Sequence, residues 1–208
     1  DVVAGRDDLA GGTWLGMNEA GVVAGVLNRR NTLGPQPGKR SRGELALDAL
    51  DFPDAADAVE MLLQLDAHAF RPFNMVVADN RDAFWLRNLG QKVEAEKLPP
   101  GLSMVTASDR NDLNSRRIGW FLPRWQAAAV PDPQTGDWGT WEELLSDRGH
   151  DPSGTVFDAM SIISNTGFGT VSSSLIALPA PQFAARRPVW RFVGGRPDKA
   201  SLWTQVEL

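Results

Sequence analysis

The chain has 208 residues and a mass of 22.6 kDa, and its 21 Lys+Arg against 26 Asp+Glu give a net charge of −5. A chain of this size buries roughly two-thirds of its unfolded surface, which excludes a disulfide-stapled miniprotein. Hydrophobic and charged fractions of 42% and 23% are those of an ordinary globular protein and exclude disorder and a general affinity for nucleic acid. There is no Cys, which removes thiolate catalysis, cysteine-ligated zinc and a disulfide framework from these residues.

Read in chain order, Thr13 to Met17 and Gly21 to Leu27 are strand-like runs joined by Asn18-Glu19-Ala20-Gly21, a hairpin turn by composition. The Gly- and Pro-rich stretch Asn31 to Gly38 is a loop, after which Ser41 offers a helix N-cap with Glu44 three residues on. A second helix is expected from Asp54 to Leu65, where Ala55, Ala58, Val59, Leu62 and Leu63 fall at helical spacing behind Pro53. These two helices are expected to cover one sheet face.

A second hairpin pairs Phe73 to Asp79 with Ala83 to Arg87 across Asn80-Arg81-Asp82. A third pairs Lys92 to Lys97 with Leu102 to Thr106 across Pro99-Pro100-Gly101. Ser115 caps a helix running to about Ala129 and interrupted at Pro123, and Thr140 to Ser146 is a further short helix. Three strands close the chain, at Thr170 to Leu178, Val189 to Val193 and Leu202 to Val206. Arg30 to Lys39 and Pro131 to Trp138 are expected as surface excursions. Runs of strands alternating with paired helices, without a βαβ rhythm, predict an α+β fold of mostly antiparallel sheets in a single domain over residues 1–208.

Chemistry is sparse. His68 and His150 lack a second His or carboxylate at metal-binding spacing, so no metal site and no bound cofactor are expected. Gly167-Phe168-Gly169-Thr170-Val171-Ser172 lacks the third Gly of a dinucleotide fingerprint and leads into a strand. The basic run Arg29, Arg30, Lys39, Arg40 and Arg42 brackets the Gly/Pro loop in an otherwise acidic chain; it is either a local anion site for a carboxylate or phosphate, or a solvated loop. Trp14, between Gly12 and Gly16, either packs across a sheet or lines a pocket.

Several segments together resemble one family. Gly11-Gly12-Thr13-Trp14-Leu15-Gly16, Gly21-Val22-Val23-Ala24, Val26-Leu27-Asn28-Arg29-Arg30 and Gly38-Lys39-Arg40-Ser41-Arg42-Gly43-Glu44-Leu45 are similar to the NRDE family, also called the Transport and Golgi Organization 2 family. The resemblance continues through Arg71-Pro72-Phe73-Asn74-Met75-Val76-Val77-Ala78-Asp79, Phe84-Trp85-Leu86-Arg87, Pro99-Pro100-Gly101-Leu102 and Gly167 to Leu178. It implies an N-terminal-nucleophile-hydrolase-like αββα sandwich, two antiparallel sheets between helical layers. It also implies a Met-Cys first strand and an Asn-Arg-Asp-Glu motif upstream of Asp1, so an N-terminal segment is expected to be missing from this chain.

Residue by residue, the resemblance makes Asn28 a candidate for holding the oxyanion of a tetrahedral intermediate. Its other reading is a strand-end amide bonded to the following loop. Arg116 or Arg117 falls near a later basic position of the family, Thr106-Ala107 stands where eukaryotic members have Ser-Asn, and Ser172 stands where close relatives often have Cys. The candidate catalytic residues are thus Asn28 and Arg116, and the candidate substrate-binding residues Thr13, Trp14, Arg29, Arg40, Arg42 and Asn74.

Two functions follow from the resemblance. One is an N-terminal-nucleophile (Cys) hydrolase of small amides or esters, inactive without the nucleophile segment. The other is a non-catalytic carrier of haem or another amphipathic ligand in trafficking, with haem as cargo and weak axial ligation given two His and no Cys. The expected partner is a small molecule, not nucleic acid. No run approaches the roughly 20 apolar residues of a membrane span, so no integral membrane contact and a cytoplasmic location are expected.

Overall fold

A computed structural model describes residues 1–8, 10–195 and 203–208. The chain divides into two compact units, 1–110 with 178–186, and 111–177 with 187–208.

The first unit is built on a six-stranded sheet in the order β1-β2-β3-β4-β5-β6, every neighbour antiparallel. The strands are β1 (Val2–Ala4), β2 (Leu15–Asn18), β3 (Val23–Asn28), β4 (Phe73–Ala78), β5 (Ala83–Asn88) and β6 (Val93–Lys97). Both expected hairpins form, Met17 facing Val23 across the first turn and Ala78 facing Ala83 across the second. Asn18 fixes the first turn by accepting from Val22 N at 2.9 Å, while its Nδ2 donates to the carbonyls of Leu50 and Phe52.

Between β3 and β4 come α1 (Gly43–Leu50) and α2 (Ala55–Leu63), and both pack on the same sheet face. The period-2 alternation puts Ala24 and Val26 of β3, Met75 and Val77 of β4, and Leu86 of β5 on that face, where all are buried. Leu45, Ala46, Ala49 and Leu50 of α1 and Ala55, Ala58, Val59 and Leu62 of α2 close the core from above. The alanines bring the helices near the sheet, and each buried Leu, Met or Phe contributes roughly 1.5–3 kcal/mol.

The helix start differs from expectation. Arg42, not Ser41, is the N-cap of α1, and the Ser41 hydroxyl accepts from Gly43 N at 3.2 Å. A close backbone contact sets this entry: a Cβ on Gly12 would lie 2.5–2.8 Å from the Gly43 backbone, and Thr13 N donates to Gly43 O at 3.1 Å. For α2, Asp54 is the N-cap, its carboxylate accepting from Asp57 N.

Leu102 to Thr106 is not a strand, which corrects the third expected pair. The carbonyl of Thr106 is taken by Asn74 on the outer sheet face, so the segment runs as a loop against β4 and leaves β6 at the sheet edge. β1 is an added strand, too short at three residues to carry a pattern.

The second unit contains α3 (Arg116–Ala127), α4 (Thr140–Ser146) and a three-stranded antiparallel sheet of β7 (Ser172–Ala177), β8 (Val189–Gly194) and β9 (Thr204–Gln205). Pro123 does not interrupt α3, whose buried stripe of Ile118, Phe121 and Leu122 runs across it. Trp125 of α3 meets Trp141 of α4 edge to face at 5.1 Å. Trp138 is buried, not on a surface excursion, while Asp132 to Asp137 before it form a small hairpin. Of the last expected strand, Leu202 lies outside the described residues and only Thr204 and Gln205 are strand.

Candidate functional site

The densest polar structure in the first unit surrounds the end of β3. Asn74 is fully buried on the sheet face opposite the helices, and all four of its hydrogen-bonding positions are taken. Its Nδ2 donates to the carbonyls of Thr106 and Ser108, both at 2.7 Å, and its Oδ1 accepts from Arg29 Nη1 at 2.7 Å and Trp85 Nε1 at 3.3 Å. Asn74 therefore holds the 106–109 loop onto the sheet and has no capacity left for a substrate.

Asp109 follows in that loop and bridges two arginines, Arg29 Nη2 and Arg87 Nη1, each at 2.7 Å. Arg87 also donates to Glu94 at 2.9 Å and stands over the Trp85 ring. Its bond to Glu94, reinforced by Asp109, holds the Arg87 pKa above its usual range, while Lys92 and then Arg87 keep the Glu94 carboxyl below its own. A groove of about 530 Å³ runs around β6, lined by Leu63, Trp85, Arg87, Lys92 and Glu94 among others.

Asn28 ends β3 opposite Phe73 and shares the helix-side register of Ala24 and Val26. Its Oδ1 is shut off from solvent with no hydrogen-bond partner, and its Nδ2 has none among the described residues. An unpaired buried acceptor costs about 1–3 kcal/mol, and no hydrogen bond from this amide to the following loop is present among the described residues.

The basic run does not act as one cluster. Arg42 is buried and internal, Nη1 donating to Thr32 Oγ1 and Pro72 O and Nη2 to Thr32 O; burial, then Arg71, lowers its pKa. Arg40 pairs with Glu44 at 2.7 Å and stacks on Phe70, and Lys39 donates to His68 O. Arg29 belongs to the Asn74–Asp109 network. Arg30 places Nε on Ser108 Oγ at 3.3 Å and, like Lys39 and Arg42, has no acidic partner among the described residues.

Thr13 is buried with its hydroxyl donated to Leu15 O, whereas Trp14 is 42% exposed. Arg116 opens α3 in the second unit, where its charge, after two Ser153 hydrogen bonds, helps keep Asp151 ionised. His68 is exposed beside Asp66, and His150 Nδ1 meets Asp151 O. Among the described residues no three His, Cys, Asp or Glu side chains converge as metal ligands. No helix among the described residues is long and apolar enough to cross a membrane.

The residues that sequence reasoning missed are Asp109, Arg87, Trp85 and Ser108. Their alternation on β5 and the Ser-Asp pair of the loop are visible, but pairings that span 11 to 80 positions leave no local pattern.

No curated protein matches the chain. The family model for Transport and Golgi organisation 2 matches residues 1–125, which span the whole six-stranded sheet and the network at the end of β3. The chain belongs to the Transport and Golgi organisation 2 family.

Proposed function

We propose that this chain forms the oxyanion side of an N-terminal-nucleophile-type hydrolase acting on small amides or esters. One observation carries the reading: Asn28 ends a central strand with its Oδ1 buried and unpaired and its Nδ2 free. An amide with a free Nδ2 supplies one N–H to a developing oxyanion. The fold of two antiparallel sheets with helices is compatible with the αββα architecture that the resemblance implies.

These 208 residues hold no Cys, so the thiolate would come from a segment preceding Asp1, attack the carbonyl and expel the amine or alcohol, and water would release the acid. The test is product release from p-nitrophenyl acetate and an acyl p-nitroanilide by the full-length protein, with and without iodoacetamide. Release that alkylation abolishes supports the reading, and no release overturns it.

A carrier reading has one observation on its side, the groove around β6 with Trp85 and Leu63 in its walls. It ranks second, because Arg87 and Lys92, the cations that would meet a ligand carboxylate, both already end on Glu94.

A further inference from the structure

We propose that Arg29 is a positioning residue for this reaction: locked on the outer sheet face by Asn74 and Asp109, it fixes the strand end that presents the Asn28 amide. The inference rests on the hydrolase reading and adds a residue to it.

The Asn28 side chain makes no hydrogen bond of its own among the described residues, its Oδ1 being buried and unpaired and its Nδ2 free. It is aimed by a Cα–Cβ bond that only the backbone holds. Support from the sheet runs out at this point. The pairing of β2 with β3 reaches Gly25, and the ladder with β4 ends at Asn28 itself, opposite Phe73. Strand ends open more readily than strand centres, and an amide donor contributes to catalysis only if it is held in place before the charge develops.

Arg29 is the first residue past that ladder, and strand alternation turns its side chain to the face opposite Asn28. There its fork closes on two oxygens, Nη1 on Asn74 Oδ1 and Nη2 on Asp109 Oδ1, each at 2.7 Å. Both partners are themselves anchored, Asn74 by full burial and its bonds to Thr106, Ser108 and Trp85, Asp109 by Arg87 at 2.7 Å. The Arg29 carbonyl is held as well, accepting from the Thr32 hydroxyl at 2.8 Å and from Thr32 N at 3.2 Å. Residue 29 is thus fixed through side chain and backbone, one peptide away from a side chain that has no anchor of its own. The guanidinium acts on turnover through the Asn28 backbone and not by touching substrate.

The test measures hydrolysis of an acyl p-nitroanilide by full-length wild type, Arg29→Met and Arg29→Lys, and by Arg29→Met combined with Asn28→Ala. Arg29→Met is expected to lower kcat about tenfold or more and to leave KM within about twofold, as for a donor displaced by part of an ångström. Arg29→Lys, which keeps a charge for Asp109 but not the fork, is expected to retain part of the lost turnover. On Asn28→Ala the Arg29→Met change is expected to cost no further kcat, because no amide remains to be aimed; a simple loss of folded protein would lower both backgrounds equally. Wild-type turnover together with an Arg29→Met kcat within about twofold of wild type, or with a loss repeated in full on Asn28→Ala, overturns the inference and leaves the hydrolase reading standing. Wild type that releases no p-nitroaniline overturns both. Circular dichroism checks folding first, and if Arg29→Met is unfolded, Arg29→Lys in both backgrounds takes its place with the same two outcomes.

Discussion

Arg29 and Asn74 meet at 2.7 Å, guanidinium Nη1 to amide Oδ1, and this contact ties the exit of β3 to the middle of the outer sheet face. Two further bonds of Asn74 hold the 106–109 loop and a third takes the Trp85 indole N–H, so removing the amide strips partners from two carbonyls, an indole and an arginine at once. Asn74→Leu is expected to cost about 3 kcal/mol, from several unpaired polar groups at roughly 1 kcal/mol or more each, read as a lowered urea midpoint. A midpoint within error of wild type would show that the network contributes nothing.

Arg42 presents a different case of internal use. Its guanidinium satisfies Thr32 O, Thr32 Oγ1 and Pro72 O, joining the two loops that flank the entrance to α1. Arg42→Met keeps much of the volume and removes every donor, so a loss of about 3 kcal/mol is expected in chemical denaturation. Addition of carboxylate ligands should not restore it, because the arginine faces protein carbonyls and not a binding space.

Gly12 and Gly43 approach so closely that a methyl on Gly12 would press into the Gly43 backbone at 2.5–2.8 Å. Backbone on both sides leaves nothing flexible to yield. Gly12→Ala is expected to lower the melting temperature by several degrees, about 1–3 kcal/mol, whereas Gly5→Ala, which meets nothing within 4 Å, serves as the control.

Asp79 couples the second hairpin to the start of α2. Burial alone would raise its carboxyl, but N–H donors from Ala55, Arg81 and Asp82, helped by the Arg81 guanidinium, outweigh that and hold it below the ordinary carboxylate range. A carboxyl whose folded pKa is depressed stabilises the fold fully above its unfolded pKa of about 3.9, and that stability is lost as pH falls through the folded value. Asp79→Asn is expected to be less stable than wild type at pH 7 by about 1 kcal/mol, with the gap closing below about pH 4. A gap that stays constant down to pH 2 would contradict the assignment.

Much of the first unit is legible in the sequence because it is local. Asn18 to Gly21 and Asn80 to Asp82 carry turn chemistry between strand-forming runs, and the apolar spacing of Ala55 to Leu62 marks one helix face. The run Leu102 to Thr106 has the composition of a strand and is not one, since its last carbonyl belongs to Asn74, 32 residues earlier. Trp138 is hidden for a similar reason: its loop is rich in turn residues, yet the indole is buried. The candidate site divides along the same line. Asn28, Arg29 and Asn74 are found through the resemblance, but that Asn74 is saturated, that Asp109 neutralises Arg29 and that Arg30 meets Ser108 depends on long-range pairing alone.

The central claim is that the Asn28 amide stabilises an oxyanion, and steady-state hydrolysis of an acyl p-nitroanilide by full-length wild type and Asn28→Ala tests it most directly. The account predicts a kcat lowered about 10²–10³-fold with KM little changed, as for loss of one oxyanion donor, and a fold that circular dichroism finds intact. An Asn28→Ala protein that turns over at the wild-type kcat would contradict it.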